Sequence, residues 1–355
     1  MKVALDTSPL YTTRAGVARY VRDLCRELNA IDSSVVDAIP IGWPVENFEY
    51  VQPKRAIKTA YRELIWSAIV APREIDKLSP DLLHHTYARV IRNSKRSRPE
   101  VLTIHDVAIL RDPYRFRRWH RTTGRRLLEQ AKSADRIICI SQFTADEVMS
   151  LLGIAASQIE VVHNGGSLDS PPSAVSLPFT PPEEYFIFVG SLEPGKNLRL
   201  LQQAYLLAEC SGIQLPPLLI VGVRWKGVKR ENPLRNKWHY LGYQPDSQMF
   251  QLLAKAIALV FPTKYEGFGI PILEAQSIGT PVICSPIASL PEVAGRAAFY
   301  AEQTPESYLQ AMVEMSRNTA HRTSLIEAGI ANARRFTWSR CAEQTLAVYR
   351  DTLDG

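Results

Sequence analysis

Residues 261–283 read FPTKYEGFGIPILEAQSIGTPVI. The apolar run ALVFPT (258–263) delivers the chain to a turn, KYEGFG, whose glycines let backbone amides approach a ligand closely. Pro271 then suits the first position of a helix and Gly279 its end. A strand, a glycine turn and a helix N-terminus in succession are the local order of a parallel α/β sheet, and they aim amides and a positive dipole end at an anion. Glu266 and Glu274 flank this turn, with Glu274 expected in the first helical turn. Negative charge there would repel a phosphate, so the ligand must offer the carboxylates something else.

Working outward, short apolar runs alternate with helical patterns along the whole chain. Six precede a proline-rich stretch: 3–6, 37–42, 81–87, 101–106, 136–141 and 159–165. Six follow it: 185–190, 217–222, 238–243, 258–263, 281–285 and 297–301. This alternation predicts an α/β protein of two doubly wound parallel sheets, each covered on both faces. The stretch SLDSPPSAVSLPFTPPEEY (167–185) reads as the connection between them. The expected boundaries are a first domain over 1–168, a linker over 169–184 and a second domain over 185–340. A terminal helix over 341–355 is expected to pack back on the first domain. Two such halves facing each other would leave a cleft at the carboxyl ends of their strands. Helix ends are legible too: Thr144 and Glu147 have capping-box spacing, and Gly153 suits the stop.

Composition bounds the class. The 355 residues are 46% hydrophobic and 22% charged, which is ordinary for a globular protein of two domains. No run reaches the roughly 18 apolar residues of a membrane span, and the N-terminus lacks a signal-peptide pattern. Five dispersed cysteines without a C-x-x-C pair suggest neither a disulfide framework nor a zinc site, so a cytoplasmic location is expected. Much of the net charge of +6 gathers in RDPYRFRRWHRTTGRRLLEQAKSADR (111–136), around Arg117, Arg118, Arg125 and Arg126. With no nucleic-acid recognition module beside it, this stretch reads as a solvated helix face or as a surface for anionic lipid or an anionic acceptor.

The segment GSLEPGKN (190–197) follows the run YFIFV and opens a helix. It resembles a phosphate loop but lacks the Ser/Thr that would hold magnesium, and it opens the second half of the chain rather than the first. Its lysine and helix start still make a phosphate site. A phosphate held by amides and Lys196 leaves the two carboxylates facing hydroxyl donors, and a carboxylate accepts two vicinal hydroxyls at once. A ligand with a diphosphate in its middle and sugars at both ends satisfies every group: a nucleotide sugar. His84 and His85 are adjacent on a strand and point to opposite faces, so they cannot share a metal.

With these motifs assembled, YEGFGIPILEAQSIGTPVICSPIASLPEVAG resembles the signature of the retaining glycosyltransferases of family 4, with Glu266 and Glu274 as its paired glutamates. RAGVARYVRDL, TIHD, VVHNG and FVGSLEPGKNL resemble further segments of that family, so the likeness covers nearly the whole chain. Within it, LTIHDVAILRDP and PGKN look most like bacterial mannosyl- or rhamnosyl-type enzymes of surface polysaccharide assembly. The resemblance implies the GT-B fold, with two Rossmann-like domains facing across a cleft. It assigns Lys196 to the diphosphate, Glu274 to the ribose hydroxyls, and Glu266 with the amides of Gly267, Phe268 and Gly269 to the donor sugar. Gly242 and Tyr243 would lie against the base, Ser191 on the donor loop, Gly16 near the diphosphate and His105 near the reacting sugar. Two departures stand out: the family's arginine is absent at Ser191, and that of the closer PRKN subgroup at Gly195.

The expected reaction is metal-independent transfer of a hexose, mannose favoured, from a nucleoside-diphosphate sugar to a hydroxyl of a glycan or lipid-linked glycan, with retention. No D-x-D metal motif occurs and no cofactor is implied. The acceptor suggests peripheral contact with the inner face of a membrane. The competing readings are a non-catalytic nucleotide-sugar-binding subunit and another enzyme of the same fold, such as a sugar-nucleotide epimerase.

Overall fold

The structure is a computed structural model, and it describes residues 1–13, 16–46, 53–88, 91, 98–116, 118–166, 175–225, 228, 234 and 237–355. The twelve apolar runs form twelve strands. In the first half these are β1 (Lys2–Asp6), β2 (Asp37–Ile41), β3 (Leu82–His85), β4 (Glu100–Ile104), β5 (Arg136–Cys139) and β6 (Ile159–Val161). In the second they are β7 (Phe186–Val189), β8 (Leu218–Val221), β9 (Trp238–Gly242), β10 (Leu259–Phe261), β11 (Val282–Cys284) and β12 (Phe299–Tyr300). Every pairing between them is parallel. Strands such as β3, β8 and β10 are buried at every position. A parallel sheet covered by helices on both faces requires this, which is why the strands read as unbroken apolar runs rather than alternating ones.

The chain divides into two compact units, residues 1–165 with 338–355, and residues 166–337. The first holds a six-stranded sheet of order β2-β1-β3-β4-β5-β6. The second holds one of order β12-β11-β10-β7-β8-β9. In the second, the chain enters at the middle with β7, walks outward to β9, returns to β10 and walks out the other way. The carboxyl ends of β7 and β10 therefore flank the point where the winding reverses, and doubly wound sheets bind ligands at such a point. In the first sheet the reversal falls between β1 and β3.

Two local expectations are corrected. The helix Gln142–Leu152 is capped by Ser141, whose hydroxyl accepts from the Thr144 amide, and not by Thr144 itself. Ser141 has the extended backbone that a cap needs, while Thr144 is already helical. Glu147 then serves as a partner for Arg111, at 2.6 Å. Glu274, in turn, is the fifth residue of the helix Ile270–Ser277, beyond its first turn, and no acidic residue lies in that turn.

The last helix, Trp338–Asp354, packs in the first unit through Trp338, Cys341, Thr345 and Tyr349. The Tyr349 hydroxyl lies 2.6 Å from Nδ1 of His84, whose Nε2 lies 2.8 Å from the Thr103 hydroxyl. Tyr20 completes the chain of contacts, 3.0 Å from Thr103. His84 is thus a core histidine with both ring nitrogens bonded. Burial, with smaller contributions from His85 and His105, lowers its pKa to about 3. His85, on the other face, accepts from the Ile91 amide at 3.4 Å, so the opposite orientation read from the sequence is borne out.

The unfolded chain protonates His84 near pH 6.5 and the native one only near 3. Between those values the unfolded state binds the extra proton, so stability falls as pH falls. Urea unfolding should show a loss between pH 7 and pH 5, where the carboxylates stay ionised, and His84→Gln should shrink that difference. Tyr349→Phe should cost about 1–3 kcal/mol at neutral pH by orphaning a buried ring nitrogen.

Candidate functional site

At the switch point of the second sheet two loops meet. The loop after β7 runs through Gly190 and Ser191 into a tight helical turn, Pro194–Lys196, in which the Glu193 carboxylate accepts from the Gly195 amide at 2.7 Å. Asn197 follows with φ 55°, and the helix Leu198–Cys210 begins. The loop after β10 is laced to this turn. The Gly195 carbonyl accepts from the Lys264 amide at 2.8 Å and from the Thr263 hydroxyl at 3.1 Å.

This lacing sets the side chains of Lys196 and Glu266 face to face. The Lys196 ammonium donates to the Glu266 carboxylate, and both side chains are largely buried. The same ammonium lies over the Phe261 ring, 5.6 Å from its centroid. Such a pair holds its partners by mutual neutralisation, and removing one leaves an uncompensated charge.

The second loop is strapped from the far side. The Ser289 hydroxyl lies 2.9 Å from the Glu266 carbonyl and 2.8 Å from that of Phe268, so its single proton is shared between them. Phe268 is buried, with its ring edge-on to Phe336 at 5.9 Å. Gly269 has φ 109°, and a Cβ there would come within 3.0 Å of Leu290. Only glycine turns the chain at this point into the helix Ile270–Ser277. Glu274 on that helix is 3% exposed. Dipole compensation does not explain a buried carboxylate in the second turn, because the favourable effect falls off within the first.

Gly242 ends β9 with φ 69° and accepts from the Gly222 amide at 2.8 Å, and Tyr243 beside it is 48% exposed. Both lie on the carboxyl edge of the sheet, as do the two loops. Lys196, Ser191, Glu266, Gly267, Phe268, Gly269, Glu274, Gly242 and Tyr243 thus share one edge of the second unit.

Gly16 and His105 belong to the first unit, at its own carboxyl edge. Gly16 opens the helix Gly16–Ala30. His105 follows β4, and its Nε2 lies 2.8 Å from the Thr86 carbonyl. A carbonyl only accepts, so Nε2 carries the proton. The Tyr20 ring packs edge-on against the imidazole at 4.8 Å. Burial lowers the pKa of His105, opposed by the Thr86 bond and by Asp106. The ring is therefore held neutral, with Nδ1 as a hydrogen-bond acceptor.

Arg118, Arg125 and Arg126 are exposed on the helix Arg118–Gln130, and Arg117 lies outside the described residues. Sequence reasoning missed Glu193, Thr263 and Ser289, which organise the two loops through bonds to their backbone. Ser289 stands where a helix cap would and carries no capping bond, because its hydroxyl serves the loop instead.

Known proteins supply the comparison. "Glycosyltransferase Family 4" matches residues 14–170 and "Glycosyl transferases group 1" matches residues 172–332. The chain is 30% identical to an O-antigen chain mannosyltransferase B of Escherichia coli, over 99% of this chain and all of that protein. It is 27% identical to the serotype-specific mannosyltransferase WbdA of E. coli, over 61% of this chain and 28% of that one. Among solved structures, a sucrose-phosphate synthase from Thermosynechococcus elongatus superposes with a TM-score of 0.74 at 18% identity, covering 99% of this chain and 98% of that one. Anabaena Alr3699/HepE in complex with UDP and glucose follows at 0.68 and 16%, covering 98% and 99%.

Gly222→Ala tests the close approach of the loops. Its φ is 146°, and a Cβ there would lie 1.8 Å from the Gly190 carbonyl oxygen. The substitution should cost about 3 kcal/mol or more in urea unfolding, whereas Gly153→Ala, with open space at φ 66°, should cost about 1 kcal/mol.

Proposed function

From the premise that this chain belongs to glycosyltransferase family 4 and has the GT-B fold, we propose that it moves a mannosyl unit from a nucleoside-diphosphate sugar to a hydroxyl of a glycan. Anomeric configuration is retained and no metal takes part. The observation that carries this reading is the Lys196–Glu266 pair at the switch point. The diphosphate takes Lys196, backbone amides of the glycine turn and the helix start. Glu266, released from the lysine, accepts hydroxyls of the donor sugar, and Glu274 accepts those of the ribose. The two carboxylates beside an anion site are thereby explained. Mannose is supported by the named activity of the E. coli relative that aligns along the full chain.

In the transfer, the bond from C1 to the diphosphate oxygen breaks and a bond from C1 to the acceptor oxygen forms. The acceptor proton passes to the departing diphosphate. Negative charge grows on that leaving group, and Lys196 with the loop amides stabilises it. His105 offers Nδ1 to a sugar hydroxyl; as a neutral acceptor it suits a hydroxyl and not a phosphate. The acceptor we favour is a lipid-linked glycan at the inner face of the membrane, with Arg118, Arg125 and Arg126 toward anionic headgroups.

Nucleoside-diphosphate release is the test, across GDP-mannose, UDP-glucose, UDP-GlcNAc, UDP-galactose and dTDP-rhamnose, with and without EDTA. Slow, EDTA-insensitive release from GDP-mannose is expected. Lys196→Ala should lower kcat/KM by about 10²–10³-fold, and Glu266→Gln by about 10–100-fold. Release from a different donor overturns mannose, and EDTA sensitivity overturns metal independence. If every donor raises the melting temperature yet none turns over with added acceptor, the chain is a binding subunit.

A further inference from the structure

The segment between β2 and β3 is a continuous helical rod, wound as an α-helix over Pro53–Ala60, as a π-helix over Tyr61–Val70 and as an α-helix again over Ala71–Leu78. One side of it is core. Trp66, Ala71 and Ile75 are buried against Ala4, Ile41, Leu83 and Ile91 of the first unit. The other side is an apolar stripe open to solvent. Ile57 is 72% exposed and Leu64 70%, with Tyr61, Ile65 and Ile69 exposed beside them. Positions 57, 61, 65 and 69 recur every fourth residue, with Leu64 between, so they form one line rather than a scatter. Five of the eleven large hydrophobic side chains exposed among the described residues lie on this one rod. Isolated exposed apolar residues are commonplace, but a contiguous row marks a contact surface.

We propose that this stripe inserts into the interfacial region of an anionic membrane, with the rod lying flat in the surface. The charge pattern selects that occupant. Between residues 53 and 70 the sequence carries Lys54, Arg55, Lys58 and Arg62 against the single acidic Glu63, and residues 64–72 carry no charge at all. Arg62 is buried and donates to the Val45 carbonyl; the cations described toward solvent on this rod are half-exposed Lys58, which donates to the Glu46 carbonyl, and exposed Arg73 and Lys77, with exposed Glu74 between them. An apolar face flanked by basic residues is the pattern of helices that lie in the headgroup layer. No helix among the described residues is long and apolar enough to cross a membrane, so attachment is by lying on the surface.

The topology adds a second cationic element on the same side. The connections β2→β3 and β4→β5 run in the same direction across the sheet. Right-handed crossovers therefore place this rod and the helix Arg118–Gln130 on one face. The cores agree: Leu83 packs under the rod, Leu102 packs with Leu128, and Leu102 is in register with His85, two residues along β3 from Leu83. Exposed Arg118, Arg125 and Arg126 thus border the face that carries the stripe. Basic residues near an anionic surface contribute by attraction, while apolar side chains anchor by burial. The inference deepens the reading that the acceptor is lipid-linked, but it does not depend on which sugar is moved.

Co-sedimentation of the full chain with phosphatidylcholine vesicles, with and without phosphatidylglycerol, tests this in the absence of any sugar donor. Binding to the anionic vesicles is expected, falling about tenfold or more in Ile57→Ser/Leu64→Ser. The melting temperature should hold, because both side chains are exposed. In a Leu64→Trp variant, blue-shifted fluorescence on anionic vesicles would place that position in the lipid. Wild-type protein that ignores both vesicles, or a serine variant that binds as well as wild type, overturns the proposal. A concentration-dependent dimer that the serine variant dissolves would overturn it in favour of a second copy of the chain. A silent donor assay leaves this measurement untouched, so the two readings fail separately.

Discussion

The second unit depends on the Gly195 carbonyl, which accepts from both Thr263 and Lys264 and so ties the loop after β7 to the loop after β10. Without that tie, Lys196 and Glu266 are two side chains 70 positions apart on separate surface loops. With it, the fold's reversal point becomes a candidate site whose two charges are already held together by the fold. The supporting parts point inward to the same place: Glu193 fixes the Gly195 amide, Ser289 holds the backbone around Glu266 and Phe268, and Phe268 anchors on Phe336. Preorganisation of this kind matters because charge developing in a transition state is stabilised most by groups that need not move to meet it.

In the first unit the corresponding constraint falls on His105. The Thr86 carbonyl dictates its tautomer and Tyr20 its ring plane. Tyr20 is fixed in turn through Thr103 and His84 by Tyr349, which lies 265 residues beyond His84 in the chain. The terminal helix therefore belongs to the core beneath His105. The buried His84 is a structural residue whose two nitrogens are both satisfied, whereas the bond described for His105 is made by Nε2 alone.

The strands were legible because parallel strands buried on both faces leave continuous apolar runs, and all twelve appear where those runs lie. The two loops that carry the candidate residues were legible because each glycine-rich turn follows an apolar run and opens a helix. Pairing was not legible: nothing in PGKN or YEGFG says that one loop's carbonyl organises the other, since backbone groups leave no trace in residue type. The helix start at Ser141 was misread because Ser141 and Thr144 offer equivalent hydroxyls, and only the backbone angle distinguishes the cap. Glu274 was placed a turn too early for a related reason. Pro271 suits the first helical position, yet the helix begins with Ile270 and Glu274 falls fifth. The stripe on the rod between β2 and β3 escaped notice because an apolar helix row reads the same whether it faces a core or water.

The Lys196–Glu266 pair also bears on selectivity. An anion that drew Lys196 away while offering nothing to Glu266 would leave a largely buried carboxylate unpaired, and that loss offsets much of what the anion gains. Inorganic phosphate is such a ligand. On the proposed reading, a nucleotide sugar would bring the diphosphate and the hydroxyls together, so both members of the pair would exchange one partner for another. The carboxylate beside the candidate anion site would thus discriminate against the simplest anions. It would do so by being satisfied only when phosphate and sugar arrive as one molecule, which is the form in which an activated sugar is carried.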